Sequence, residues 1–423
     1  MKTIPMKIRF LGSAREVGRA GIAVKSEKNQ LLLDYGVMLG DEPGFPMHIP
    51  PNEIDAIILS HSHLDHSGGV PLFHIQDKKP VFGTRLTFDL AKPLISDFIR
   101  LSGYYLSFEF LELQTMMRNS IHLNFRKKQT VGDMQFQLLN SGHLPGGAQA
   151  LIETEGKRIV YTGDYNATNT QLLSGADQDY GDLDAIIIES TYASEVHPER
   201  KDIEKEFMEH VNGVVENGGT ALIPAFSVGR SQEIACVLAD NHFDHHVAMD
   251  GMAREVNRIM MNHSSYMRDP KLFMKALRSA AWVDGMRDRR KMAKKPGAII
   301  SPAGMLKGGP AAFYIQKIGN SRKNGVFLVG YQIPGTPGRE LLDEGKCVID
   351  GKVQNVKAQV KRFDFSSHSG ANELKDAIKN LQGNPTVYVV HGEEVNCEMF
   401  ADWINTEVGL KAVVPKAGEG FTI

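Results

Sequence analysis

The stretch Ser60-His61-Ser62-His63-Leu64-Asp65-His66 restricts what this chain can be more than any other. It sets three histidines and an aspartate directly behind an apolar run, Ile54 to Leu59, that reads as a buried strand. A neutral imidazole is the commonest protein metal ligand, and Zn²⁺ takes N and O donors at about 2.0–2.2 Å. The spacing suits two metals better than one. If the backbone stays extended through His61 and His63, its period of two sends both to one side, while Asp65 and His66 begin the next turn and face a second ion. Gly68-Gly69 then lets the chain bend around such a site without side-chain obstruction. The bland reading of the same residues is a histidine-rich surface loop.

At 423 residues the chain is longer than one usual core, which implies two domains or one domain carrying a large insertion. A formal net charge of −2 excludes a generally basic nucleic-acid coat but allows a local basic channel. Cys236, Cys347 and Cys397 are odd in number and form no CxxC, which excludes a disulfide framework and a thiolate zinc site and fits a reducing cytoplasm. Met1 to Phe10 has no long apolar core, and no run approaches the ~18–20 apolar residues of a membrane span. A cytoplasmic location and no membrane partner are therefore expected.

Along the chain, Met6 to Leu11 reads as an edge strand before a glycine-bounded loop, and Ile22 to Val24 with Gln30 to Leu33 as a hairpin ending in Asp34. An acid behind a buried strand needs a partner, or caps the turn at Gly36. Phe88 to Met117 is helical and irregular, with no chemistry assigned. Strands at Met134 to Leu139, Arg158 to Tyr161 and Asp184 to Ile188 then run into His143, Asp164 and Glu189 in turn. Apolar strands that each end in a potential ligand point to one shared site beyond the strand ends.

From about Val196 the pattern changes to alternating helix and strand, the signature of a small parallel sheet. Pro334 to Arg339 reads as an exit linker. Val356 to Phe365 is a strand before His368, and Thr386 to Val390 a strand that delivers His391. The chemistry begun at the start is thus completed at the end, around an insertion.

The string His61-x-His63-x-Asp65-His66, followed in order by the short strings around His143, Asp164, Glu189, His368 and His391, resembles the β-CASP ribonucleases of the metallo-β-lactamase superfamily. Pro224 to Arg230 and Ser301 to Met305 are similar to the cleavage-factor and archaeal members, and the short form most resembles archaeal RNase J and the archaeal cleavage-and-polyadenylation-factor-like nucleases without KH domains. The resemblance implies an α/β fold, a metallo-β-lactamase αββα sandwich over residues 1–195 and 348–423 with a β-CASP α/β domain inserted at 196–347. It implies two Zn²⁺ per chain, one on His61, His63 and His143, the other on Asp65, His66 and His391, bridged by Asp164. Asp34 would hold the far nitrogen of a ligating histidine. Glu189 matches the family's first acid linked to the insertion, and His368 the histidine that approaches the scissile phosphate. A histidine at 391 resembles the members that act on RNA rather than the DNA-repair branch.

Chemistry of that kind ionises a water near neutral pH for in-line attack on phosphorus, leaving 5′-phosphate and 3′-hydroxyl ends. Asp65, Asp164, His368 and Glu189 are the expected catalytic residues, with Glu189 orienting His368. Ser227, Arg230, Ser301 and Gly304 stand at strand-to-helix turns, where amides bind anions, and are candidate contacts to single-stranded RNA; ordinary turn residues are the alternative. The basic run Arg287 to Lys295 is a solvated face or an RNA guide. A homodimer is usual among look-alikes, and an RNA-processing or decay complex would suit the activity. Both 5′→3′ exonuclease and endonuclease action stay open, as do a small-molecule metallo-hydrolase and a non-catalytic RNA-binding subunit.

Overall fold

The computed structural model describes residues 6–423 apart from Asp41 and Asp350, so Met1 to Pro5 of the N-terminal stretch lie outside it. By spatial grouping the chain forms two compact units: residues 1–169, 175–196 and 368–423, and residues 170–174 and 197–367.

The first unit holds two seven-stranded sheets among the described residues. Alternation along the strands decides its layers. Leu31 and Leu33 enter a core shared with Phe136, Ile152 and Ile187 of the other sheet, whereas Leu32 enters a second core with Phe88, Ile95 and Phe98 of the Arg85–Ser102 helix. In the other sheet Ala185 and Ile187 face the shared core, and Ile186 and Ile188 pack with Leu374 and Phe400 of the outer helices. Successive side chains pointing to opposite faces therefore build helix, sheet, sheet, helix. Each Leu or Ile so buried contributes about 1.5–3 kcal/mol.

The last quarter of this unit closes both sheets. Gln382–Val390 lies parallel beside Asp182–Glu189, and Gly420–Thr422 pairs antiparallel with Lys7–Phe10. The first pairing is what carries His391 to the end of the strand that carries Glu189.

Some local expectations change. A strand at Ala148–Thr154, not read from the sequence, intervenes between His143 and Asp164, pairing antiparallel on both sides. The ligand-bearing strands are thus not consecutive, and they divide between two sheets. The backbone does not stay extended past His61: it bends at Ser62-His63 into the Leu64–Ser67 helix.

The second unit is a six-stranded sheet, parallel throughout, in the order Ala281–Trp282, Val247–Met249, Gly297–Ser301, Thr220–Pro224, Gly325–Leu328, Gln359–Arg362. Its central strands are buried along their whole length, as helices on both faces require. The reading of Pro334 to Arg339 as an exit linker is overturned. Pro337 occupies the first turn of the Pro337–Glu344 helix, where its missing N–H is no loss. The Gln359–Arg362 strand pairs with Gly325–Leu328, so residues 348–367, read as part of the C-terminal return, group with the inserted unit.

Candidate metal centre

Every residue of the two expected ligand sets lies in the first unit, and they converge. His61 follows the Ala56–Ile58 strand by three residues, and His63 caps the Leu64–Ser67 helix, whose first turn carries Asp65 and His66. That helix is held from outside: the Ala20 amide donates to the Asp65 carbonyl at 2.7 Å, and the Tyr35 amide to the His66 carbonyl at 3.0 Å. Gly36 makes this approach possible, because a Cβ there would stand 1.6 Å from the Asp65 carbonyl oxygen. His143 sits in the turn between the Met134–Asn140 and Ala148–Thr154 strands. Gly142 before it, at φ +69°, approaches so closely that a Cβ would meet the Asn166 oxygen at 2.1 Å.

Donor atoms meet in two groups, His61, His63, His143 with Asp164, and Asp65, His66, His391 with Asp164. In the first, Asp164 Oδ2 is 3.5 Å from His61 Nε2 and 3.4 Å from His143 Nε2, and His143 Nε2 is 3.3 Å from His63 Nδ1. In the second, Asp164 Oδ1 is 3.1 Å from His66 Nε2 and 3.4 Å from His391 Nδ1, while Asp65 Oδ2 is 3.5 Å from His391 Nε2. One carboxylate thus turns one oxygen to each group. Donors about 2.1 Å from a tetrahedral ion stand about 3.4 Å from one another, the spacing seen here. His61 Nε2 and Asp164 Oδ1 are buried without a hydrogen-bond partner, as expected of atoms reserved for a cation. The residues therefore fit a divalent metal.

Their protonation follows the same geometry. Burial, then the charge of His66, holds His61 well below the ordinary imidazole range, and burial pulls His63 down too. Burial also acts against the His66 and His391 imidazoliums, but the carboxylates outweigh it and raise both, Asp164 first in each case. Burial works to raise Asp65 and Asp164 in turn, yet surrounding imidazoles keep both low, chiefly the His391 hydrogen bond for Asp65 and the His391 charge for Asp164.

Asp34, fully buried at φ +56°, is saturated. It accepts from Ser60 N at 2.7 Å, Ser60 Oγ at 2.6 Å and Tyr161 Oη at 2.8 Å, and its Oδ2 lies 2.7 Å from His66 Nδ1. The turn-cap alternative does not describe this carboxylate. Ser60 and Tyr161 were missed by sequence reasoning, although Tyr161 lies three residues before Asp164. So was Thr191, whose hydroxyl donates to the His391 carbonyl at 3.0 Å.

Glu189 Oε1 accepts from Tyr165 N at 2.6 Å and pairs with His368 Nδ1 at 2.8 Å. His368 Nε2 then stands 4.0 Å from Asp164 Oδ2. Burial disfavours the His368 imidazolium, but Glu189 by charge and hydrogen bond, aided by Asp164, pushes it up to about 9. Asp164, Glu189 and His368 form a third group of converging donors.

The remaining expected residues lie in the second unit, at the C-terminal edge of its parallel sheet. The turns after Thr220–Pro224 and Gly297–Ser301 run side by side, with Ala225 N donating to Ser301 O at 3.0 Å. Ser227 is half-buried, Arg230 NH2 reaches Ser367 Oγ at 3.3 Å, and Gly304 is buried. Ser301 is buried and its hydroxyl donates to the Pro302 carbonyl.

Residues 22–210 match the metallo-beta-lactamase superfamily, 231–341 the Beta-Casp domain, and 353–415 the Zn-dependent metallo-hydrolase RNA specificity domain. RNase aCSPSF2 of Saccharolobus solfataricus is 38% identical over 420 residues, 98% of this chain and 85% of that protein. Probable RNase MJ4 of Methanocaldococcus jannaschii is 37% identical over 431 residues, 99% of this chain and 100% of that protein. In fold alone, the chain resembles the crystal structure of a protein of unknown function from Enterococcus faecalis, with a TM-score of 0.64 at 14% identity, covering 99% and 100% of the two chains. Fold, converging donors and relatives agree: the chain belongs to the β-CASP group of the metallo-β-lactamase superfamily.

Proposed function

We propose that this protein is a metal-dependent ribonuclease that hydrolyses phosphodiester bonds of single-stranded RNA with two Zn²⁺ per chain. The observation that carries the reading is the division of the Asp164 carboxylate, one oxygen toward each set of three further donors. His61, His63 and His143 would hold one cation and Asp65, His66 and His391 the other, with Asp164 between them. Bound there, two divalent cations supply Lewis acidity, making water acidic near neutral pH and offsetting charge that grows on phosphate oxygens.

The chain's own groups do the rest. Asp34 keeps the His66 ring fixed through Nδ1, leaving Nε2 for the cation. Glu189 fixes His368 in the same way, so that His368 Nε2 carries a proton toward the site for the phosphate or the leaving 3′ oxygen. Asp164 also positions the attacking water. One water is consumed, the P–O3′ bond breaks, and a 5′-phosphate and a 3′-hydroxyl result. RNA as the substrate is supported by the names of both relatives and by the matched RNA specificity domain. The turns bearing Ser227, Arg230 and Gly304 offer backbone and side-chain donors to a strand; Ser301, with its hydroxyl turned to its own backbone, would act through position alone. Three buried free cysteines suit a cytoplasmic enzyme, and among the described residues no helix is long and apolar enough to cross a membrane.

The test is cleavage of end-labelled linear and circular RNAs by Zn-loaded protein, beside hydrolysis of a thioester and a β-lactam. RNA products with 5′-phosphates, lost in Asp65→Ala, are expected. Thioester or lactam turnover without RNA cleavage would reverse the reading.

A further inference from the structure

The helix Gly285–Met292 and the turn after it concentrate positive charge as no other segment does. Residues 287–295 hold six cations and one acid in a chain whose net charge is −2. The nearby acids are already engaged. Asp250, fully buried at the end of the Val247–Met249 strand, takes Arg289 through both oxygens, Nε at 2.8 Å and NH2 at 3.1 Å, and also accepts the Tyr314 hydroxyl. Asp284 pairs with Arg254, and Asp288 accepts the Asp284 amide.

Arg287, Arg290, Lys291, Lys294 and Lys295 remain exposed, with no ion pair among the described residues. Arg287, Arg290 and Lys291 are three and four apart within the helix, so like charges face one another along one ridge, and Lys294 and Lys295 follow in the turn just after it. The helix dipole favours cations only near the C-terminal end and opposes Arg287 in the first turn. Arg290 and Lys291 gain from that end of the helix, but Arg287 and the mutual repulsion of the row are not offset by it. His246, lowered first by burial, is lowered further by the nearby Lys295 and Lys291.

We infer that this ridge, fixed to the inserted sheet by the Arg289–Asp250 pair, is a docking site for the phosphates of an RNA strand. The inference rests on the ribonuclease reading. A polyanion matches five unpaired cations in a row, and RNA is the polyanion that reading supplies.

The test uses the full, metal-loaded chain with Arg287→Gln, Arg290→Gln, Lys291→Gln and Lys294→Gln combined, leaving Arg289 in place. Binding of a ~30-nucleotide and a ~6-nucleotide RNA is measured by anisotropy across salt. For the long RNA, affinity should fall about tenfold at low salt, and the slope of log K against log salt should become shallower by about two, as for three lost phosphate contacts. Cleavage of the short RNA and the melting temperature should stay unchanged, and Lys291→Gln with Lys294→Gln alone should give about half the slope change. An unchanged slope in a folded variant overturns the docking site, including the case in which the ridge meets an acidic protein, and leaves the ribonuclease reading standing. A wild-type chain that neither binds nor cuts RNA overturns both.

Discussion

Asp34 shows how much of the candidate site depends on single atoms. Its Oδ2 receives the Ser60 and Tyr161 hydroxyls beside the His66 ring, all of them buried. Removing one such donor to a buried carboxylate costs about 1.5–3 kcal/mol. Tyr161→Phe should therefore lower metal affinity roughly tenfold, and Asp34→Ala up to about a hundredfold. Competition with a chromogenic chelator measures both, and unchanged affinity in Asp34→Ala would remove the residue from the site. His368→Gln should behave differently, slowing RNA cleavage by about two orders of magnitude while metal content holds. Loss of metal in that variant would make His368 a ligand, a role its place in the third donor group would allow. At this scale the charged residues were legible in the sequence because imidazoles and carboxylates at strand exits have few other uses. Tyr161 was not, since a tyrosine ending an apolar strand reads as core, and only the fold brings it to Asp34.

Elements carry these atoms to one place, and their fit can be broken without touching a ligand. Gly36→Ala would drive a methyl group into the Asp65 carbonyl, so the Leu64–Ser67 helix must shift. Cleavage and metal binding should both fall sharply while far-UV circular dichroism is retained; normal activity would show that the turn can yield. In the inserted unit, Arg289→Met leaves the buried Asp250 carboxylate without its cation. A loss of about 3 kcal/mol in urea unfolding is expected, the low end of such effects because the arginine is a quarter exposed. A change under ~1 kcal/mol would show that the Tyr314 hydroxyl and the Gly251 amide hold Asp250 unaided. Strands such as Gln30–Leu33 and Thr220–Pro224 were legible as apolar runs. Ala148–Thr154 was not, because Gln149, Glu153 and Thr154 dilute its pattern, and Pro334 to Arg339 misled because proline opens helices as readily as it ends domains.

At the scale of the molecule, one site is assembled from residues as far apart in sequence as His61 and His391. The pairing of Gln382–Val390 with Asp182–Glu189 is what makes that possible. Periodicity finds strands but not their partners, so the recurring strand-end histidines made the return legible without its pairing, and the extent of the inserted unit, which runs to Ser367, was not legible. The ridge from Arg287 to Lys295 was visible as a basic run, but its freedom from acid partners needed the Asp250 and Asp284 contacts. The account as a whole is tested most directly by stripping the purified protein of metal and titrating Zn²⁺ back, following bound metal and RNA cleavage together. It predicts no cleavage by the stripped chain, recovery to a plateau at two ions per chain, and a plateau at one ion with little cleavage for His391→Ala. Full cleavage by the stripped protein, or His391→Ala binding two ions and cutting RNA normally, would contradict it.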